Sequence, residues 1–208
     1  TKDVDLQQRL KDMRLPPARR VKAKPPLDLD AWRRTITQIQ TCKMNNEAIR
    51  QVLLIIAIRG LRSGDVLRLK RPDVLRAVAT GKLLFESKGR KMLEFSAVPI
   101  MSQLKALGEM EGGERVRDLV SVSKRRKAAS IKIWRAARRT ASKIGITNMN
   151  PHRYRHTFAT NYLNQLKGDP NSIVKLQRYM GWESPNTAMR YVDQVSQDEL
   201  DTIGAGLM

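Results

Sequence analysis

The sequence predicts an α+β fold that is mainly helical, with one small three-stranded antiparallel sheet. Three observations carry this. Apolar residues recur at helical spacing through most of the 208 residues, between recognisable caps. Between residues 74 and 100 the period shortens towards two, and Gly81 and the run Lys88-Gly89-Arg90-Lys91 mark turns. The longest apolar run, residues 52–58, suits a core and is too short for a bilayer.

Composition narrows the function classes. Forty Lys plus Arg against twenty Asp plus Glu give a formal charge of +20. Such a surface implies a polyanionic partner, nucleic acid before an anionic membrane. A membrane-surface role is disfavoured, because the most basic helix brings Trp134 but little bulky apolar surface. The single cysteine, Cys42, rules out an internal disulfide and fits a reducing compartment, cytoplasmic (nucleoid) or nuclear. The two histidines, His152 and His156, have no carboxylate cluster beside them, so neither a metal nor another cofactor is expected.

Residues 1–26 are mostly charged, carry Pro16-Pro17 and Pro25-Pro26, and read as a basic linker, with room for a short helix within 3–14. A helix follows over 27–41, with Asp28 or Asp30 near its start and Trp32, Ile36 and Ile39 inward. The next runs over 46–59, from an Asn45 or Asn46 cap to Gly60, with Ile49, Val52, Leu53, Ile56 and Ala57 on a wide buried face. Ser63 can cap a short helix carrying Val66, Leu67 and Leu69. Arg62 stands at the junction of these helices, facing either a ligand or a carboxylate. Asp65, three residues on, is its obvious partner, and a plain surface pair would fit the same spacing.

Strands are expected at 74–78, 82–86 and 92–100, with three cations at the tip of the hairpin. A helix over 102–107 and a loop over 109–117 follow. Residues 124–144 form the clearest amphipathic helix. Lys132, Arg135, Arg138, Arg139 and Lys143 share one face, and Ile133, Trp134, Ala137, Ala141 and Ile144 share the other. A solvated face normally mixes signs. No Asp or Glu occurs between Val120 and Asn150, which favours contact with nucleic acid.

Residues 151–191 hold the densest chemistry. Pro151 suits a helix start, and Phe158, Ala159, Tyr162, Leu163 and Leu166 then mark a core-facing stripe. His152 and Arg155 are three apart and share a helix face, so both can donate hydrogen bonds to one phosphate. Gly168-Asp169-Pro170 breaks the chain. Asn171 opens a helix to Met180, with Ile173, Val174, Leu176 and Tyr179 available for packing. Ser184-Pro185 reads as a cap with proline in the first turn, which puts Tyr191 about two turns into a short helix. Beyond it, Ser196-Gln197-Asp198-Glu199 is a capping box for a tail helix over 196–208. Taken singly, a His-x-x-Arg pair is usually a solvated face and a lone tyrosine usually a half-buried core residue.

The order of these features is more specific than any one of them. Arg62 with Asp65, a lysine on the hairpin, His152-x-x-Arg155-His156-Thr157-Phe158-Ala159-Thr160, then Met180-Gly181-Trp182 and Tyr191 resemble the catalytic domain of the tyrosine recombinases, the phage integrase family. The resemblance spans residues 27–195 and departs at Trp182, where the family more often has His, and at Asp65, where Glu is commoner.

It implies a catalytic set of Arg62, Lys88, His152, Arg155, Trp182 and Tyr191. Tyr191 is the nucleophile, the two arginines clamp the phosphate, and Lys88 is the general acid with Lys91 as its rival. Asp65 and His156 support the set. Trp182 keeps one N–H donor but cannot titrate. Arg90, Lys91, Lys132, Arg135, Arg138, Arg139 and Arg153 are expected to contact double-stranded DNA. The implied activity is site-specific strand transfer through a 3′-phosphotyrosyl intermediate, without metal or ATP. The active assembly would be a homo-tetramer on paired sites, with the tail helix passed to a neighbour, and an isolated fragment could be monomeric. Residues 1–26 would be the end of a linker from a further DNA-clamping domain. A type IB topoisomerase would use similar chemistry, and a non-catalytic DNA-binding accessory protein would fit the composition.

Overall fold

The computed structural model of the protein describes residues 25–87, 91–123, 126–167, 169–189 and 191. Lys88 and Arg90, the 1–24 part of the linker, and the tail with its capping box lie outside the described residues. The elements in order are α1 (Leu29–Thr41), α2 (Glu47–Arg59), α3 (Ser63–Val66), α4 (Arg71–Thr80), β1 (Lys82–Glu86), β2 (Met92–Ser96), a 3-10 turn at Val98–Ile100, α5 (Met101–Glu109), α6 (Val116–Val120), α7 (Arg126–Ser142), α8 (Pro151–Gln165) and α9 (Ser172–Met180). Residues 185–189 form one more helical turn, and Tyr191 follows in helical conformation. The expected class holds, mainly α with a small antiparallel sheet.

The helix starts follow from short polar side chains. Asp28 accepts from the Ala31 amide at 2.7 Å, Asn46 from Ile49 at 3.0 Å and Asn150 from Arg153 at 2.9 Å. Gly60, Gly81 and Gly181 cap α2, α4 and α9 in the left-handed region, which costs an L-residue energy. The α2 helix is buried on nearly every side. Val52, Leu53, Ile55, Ile56 and Ala57 are all sealed from solvent, each large aliphatic contributing about 1.5–3 kcal/mol relative to exposure.

The sheet departs from expectation. Among the described residues it has two strands, paired antiparallel from Lys82↔Ser96 to Glu86↔Met92. Residues 74–78 belong to α4 instead. Val74 and Ala77 are its buried pair, a helical i, i+3 spacing, and Pro72 sits in its first turn, where a missing N–H costs nothing. The second strand stops at Ser96, and the 3-10 turn takes up residues 98–100. Residues 116–117, expected in a loop, open α6. The short bridge Lys70↔Arg115 pins the approach to it. Trp134 points outward at 44% exposure, and Ala136 and Thr140 complete the inner face of α7. Val174 is likewise exposed.

Two apolar clusters meet along α8. Its Tyr154 lies in the main core with α2, α7 and the hairpin, whereas Phe158, Ala159 and Leu163 lie in a smaller cluster with Leu176, Met180, Trp182 and Tyr191. The segment before α1 is tied to the same helix. Thr157 Oγ1 accepts from the Leu27 amide at 3.1 Å, and Arg153 Nε donates to the Pro25 carbonyl at 3.1 Å. Among the described residues no helix is long and apolar enough to cross a membrane.

Gly60 tests the seam. Its φ is +69°, and a Cβ there would meet Phe158 Cδ1 at 2.6 Å. Gly60→Ala is expected to cost about 2–4 kcal/mol in urea unfolding, from left-handed strain plus overpacking. Gly64→Ala, with nothing within 4 Å of the added methyl, should instead change stability by less than about 1 kcal/mol.

Candidate active site

The site is built on two helix ends. The α2 helix finishes at Gly60 and α9 at Met180-Gly181. Both termini present carbonyls that have no partner within their own helix. The Arg155 guanidinium, 5% exposed, lies between them. Its Nη1 donates to the Gly60 carbonyl and its Nη2 to the Met180 carbonyl, the latter at 3.2 Å. A cation at two helix C-termini is favoured by both dipoles. Burial nonetheless pushes its pKa down to about 10. The Arg62 charge pushes the same way, while Tyr191 and Asp65 oppose it.

Arg62 follows Gly60 by two residues and is 44% exposed on its side chain. Its Nη1 stands 3.8 Å from Oδ2 of Asp65, whose side chain is 5% exposed. The Arg–Asp pair is therefore not a surface pair, because the carboxylate is buried and only the cation reaches solvent. The same carboxylate takes a hydrogen bond from Arg68 through Oδ1.

Gly181 turns the chain so that Trp182 packs inward. The indole lies under Arg155, with the guanidinium carbon 5.5 Å from the ring centroid. Tyr191 stacks on the indole, centroids 5.1 Å apart and planes 18° apart. His156 meets Tyr191 at 4.7 Å with a 49° tilt. The Ser184 hydroxyl accepts from the Asn186 amide at 3.2 Å and starts the turn that delivers Tyr191, as the Ser-Pro pair predicts. Burial lowers the His156 pKa, and the nearby charge of His152 lowers it further. His152 itself is exposed in the first turn of α8, one turn from the buried Arg155.

Arg62, Asp65, Arg155, Trp182, Tyr191, His156 and His152 thus form one connected neighbourhood. Lys88 and Arg90 lie outside the described residues, and Lys91 is exposed beside them, its carbonyl accepting from the Ser87 amide at 2.8 Å. The hairpin does reach the site, since a Cβ on Gly181 would meet Leu93 Cδ1 at 2.9 Å and Phe95 Cζ at 3.0 Å. On α7, Lys132, Arg135, Arg138 and Arg139 are exposed. Across a cleft of about 430 Å³ Lys132, Arg135 and Arg139 face the α1–α2 turn, which adds Lys43, while Arg138 lies over the Trp134 ring. Arg153 donates to the carbonyls of Pro25 and Thr147.

Two arginines escape the sequence reading. Arg68 is one; its three-residue spacing from Asp65 was a usable signal. Arg59 is the other. It is buried, stacks on Tyr179 at 3.5 Å and Phe95 at 4.4 Å, and donates to the Tyr179 carbonyl at 3.0 Å. Burial lowers its pKa. A basic residue just before a capping glycine was the only hint.

Chemically, a phosphate placed here would meet two guanidiniums, an imidazole and an indole N–H, with a phenol on the floor. The titration of His156 gives a stability test. Its folded pKa lies below the 6.5 of a free imidazole, so the unfolded chain binds the proton first. Stability therefore falls as pH drops below about 6.5, and the loss is complete beneath the folded pKa. The urea midpoint should be lower at pH 5 than at pH 7.5, and His156→Asn should flatten that slope.

Solved structures share this fold. XerA recombinase superposes with a TM-score of 0.63 at 24% identity, over 97% of this chain and 73% of that one. A XerH site-specific recombinase bound to difH substrate gives 0.60 at 19%, over 88% and 53%. A lambda integrase dimer bound to a core site gives 0.56 at 18%, over 82% and 49%. The chain thus spans about half the length of the latter two. No curated protein matches it by sequence. The model of the phage integrase family matches residues 27–198, most of the chain. With that match and the shared fold, the chain belongs to the phage integrase family, the tyrosine recombinases.

Proposed function

We propose that this chain is the catalytic domain of a site-specific DNA recombinase or integrase. The observation that carries the reading is the gathering of Arg155, Arg62 and Tyr191 at one seam, where the pKa of Arg155 responds to both of the others.

The reaction is a transesterification at one DNA phosphate. The Tyr191 oxygen attacks phosphorus, its proton passing to His152 or to water. The bond from phosphorus to the 5′ oxygen breaks, leaving a 3′-phosphotyrosine and a free 5′-hydroxyl. Lys88, or Lys91 beside it, supplies the proton to the leaving oxygen. A second strand's 5′-hydroxyl reverses the step, and because the ester bond is conserved no ATP is consumed. Arg155 keeps donors beyond those it gives to Gly60 and Met180. With Arg62 these neutralise the charge of the pentacoordinate transition state. Trp182 holds the phenol by stacking and offers its N–H.

Double-stranded DNA lies along the outer face of α7, where Lys132, Arg135, Arg138 and Arg139 contact phosphates. The XerH structure is bound to a difH substrate and a lambda integrase structure to DNA, which supports DNA as the partner here. The working assembly is a tetramer on paired sites.

Incubation with nicked suicide duplexes tests this. Wild type on its own site should form a covalent protein–DNA adduct that maps to Tyr191, and Tyr191→Phe should bind equally well and form none. Binding without an adduct for wild type would leave only the accessory-protein reading. Plasmid relaxation without site preference would favour a topoisomerase. Arg135→Ala should weaken DNA binding at all sequences and reduce the slope of log K against log salt by about one.

A further inference from the structure

We propose that Arg68 is a positioning residue for Arg62, acting through Asp65. The proposal rests on the recombinase reading for its catalytic consequence, though not for its geometry. Residues 62, 65 and 68 are each three apart around α3, so their side chains meet on one side of the turn. Asp65 is the carboxylate between two cations, 5% exposed on its side chain, while Arg68 is 25% and Arg62 44% exposed.

The two contacts differ in kind. Arg68 Nη2 donates a hydrogen bond to Oδ1. Arg62 Nη1 stands 3.8 Å from Oδ2, within ion-pair range and beyond hydrogen-bond range. A carboxylate anchored through one oxygen is less free to turn and grip a second guanidinium with both. Arg62 is therefore drawn towards Asp65 by charge but keeps its N–H donors for another acceptor. Without Arg68, a buried and unanchored carboxylate would close on the nearest cation, and Arg62 would lose donors to a fork-shaped pair. Asp65 also acts on Arg155, opposing the lowering of its pKa, so one anchored carboxylate sets the charge balance for both site arginines.

The test measures adduct formation in single turnover, DNA affinity, and the Nε–Hε signal of Arg62 by side-chain NMR, all on the full chain. Arg68→Ala should slow adduct formation about tenfold or more while changing DNA affinity less than about twofold. Arg68→Lys should keep the rate within about threefold of wild type, since an ammonium can still anchor Oδ1. Adding Asp65→Asn to Arg68→Ala should recover part of the rate by releasing Arg62, a rescue that a merely structural role would not give. The Arg62 signal should shift in Arg68→Ala and return towards wild type in the double variant. A folded Arg68→Ala with an unchanged rate, or with an affinity loss equal to its rate loss, overturns the proposal. If wild type forms no adduct, the recombinase reading fails by itself, and an Arg62 signal unmoved by Arg68→Ala then overturns the positioning role.

Discussion

The buried guanidinium of Arg155 is the constraint on which the rest of the structure depends. An arginine withdrawn from water is costly unless its donors are matched. Here the matching acceptors are carbonyls at the ends of α2 and α9, two helices that are remote in sequence. Each end can offer its carbonyl inward because a glycine, Gly60 or Gly181, turns the chain sharply after it. The cation and the two helix ends fix one another. The position of α8 against α2 and α9, and hence of everything carried on α8, is set by this joint.

From that joint the neighbourhood builds outward by stacking. Arg155 lies over Trp182, Trp182 over Tyr191, and Tyr191 against His156, the next residue of α8. The arrangement closes on itself, since both Arg155 and His156 belong to α8. A second ladder runs beside it, with Arg59 on Tyr179, Tyr179 on Tyr162, and Phe158 against both tyrosines. Few aromatic residues are present, yet half of the ten Trp, Tyr and Phe residues gather in these two stacks. They supply rigid area where a small apolar cluster alone would be loose.

Electrostatically the site is under tension. Burial makes the charge of Arg155 costly, and the Arg62 charge adds to the effect. Asp65 offsets part of it. On the recombinase reading, a DNA phosphate entering between the arginines relieves this repulsion most when its own negative charge is greatest, which is in the transition state. The same excess of positive charge is seen across the molecule at lower density, in the unbalanced outer face of α7 and its facing turn.

The sequence by itself determined most of the helical elements, several of their caps and most of the residues that gather at the site. Periodicity and the side chains of Asp28, Asn46, Asn150 and Ser184 specify local structure without help from the rest of the chain. Where local signals conflicted, only the tertiary structure decided. Residues 74–78 fit a strand by composition, but Pro72, Gly81 and the packing of Val74 and Ala77 make them a helix. Trp134 fits an inner face by hydrophobicity, but the inner face of α7 was already filled by alanines and Thr140. The second arginine on Asp65, Arg68, and the sandwich around Arg59 were likewise settled by folding. Motif spacing records which residues converge, whereas the division of a buried carboxylate among several cations depends on distances that arise only when separate helix ends are brought together.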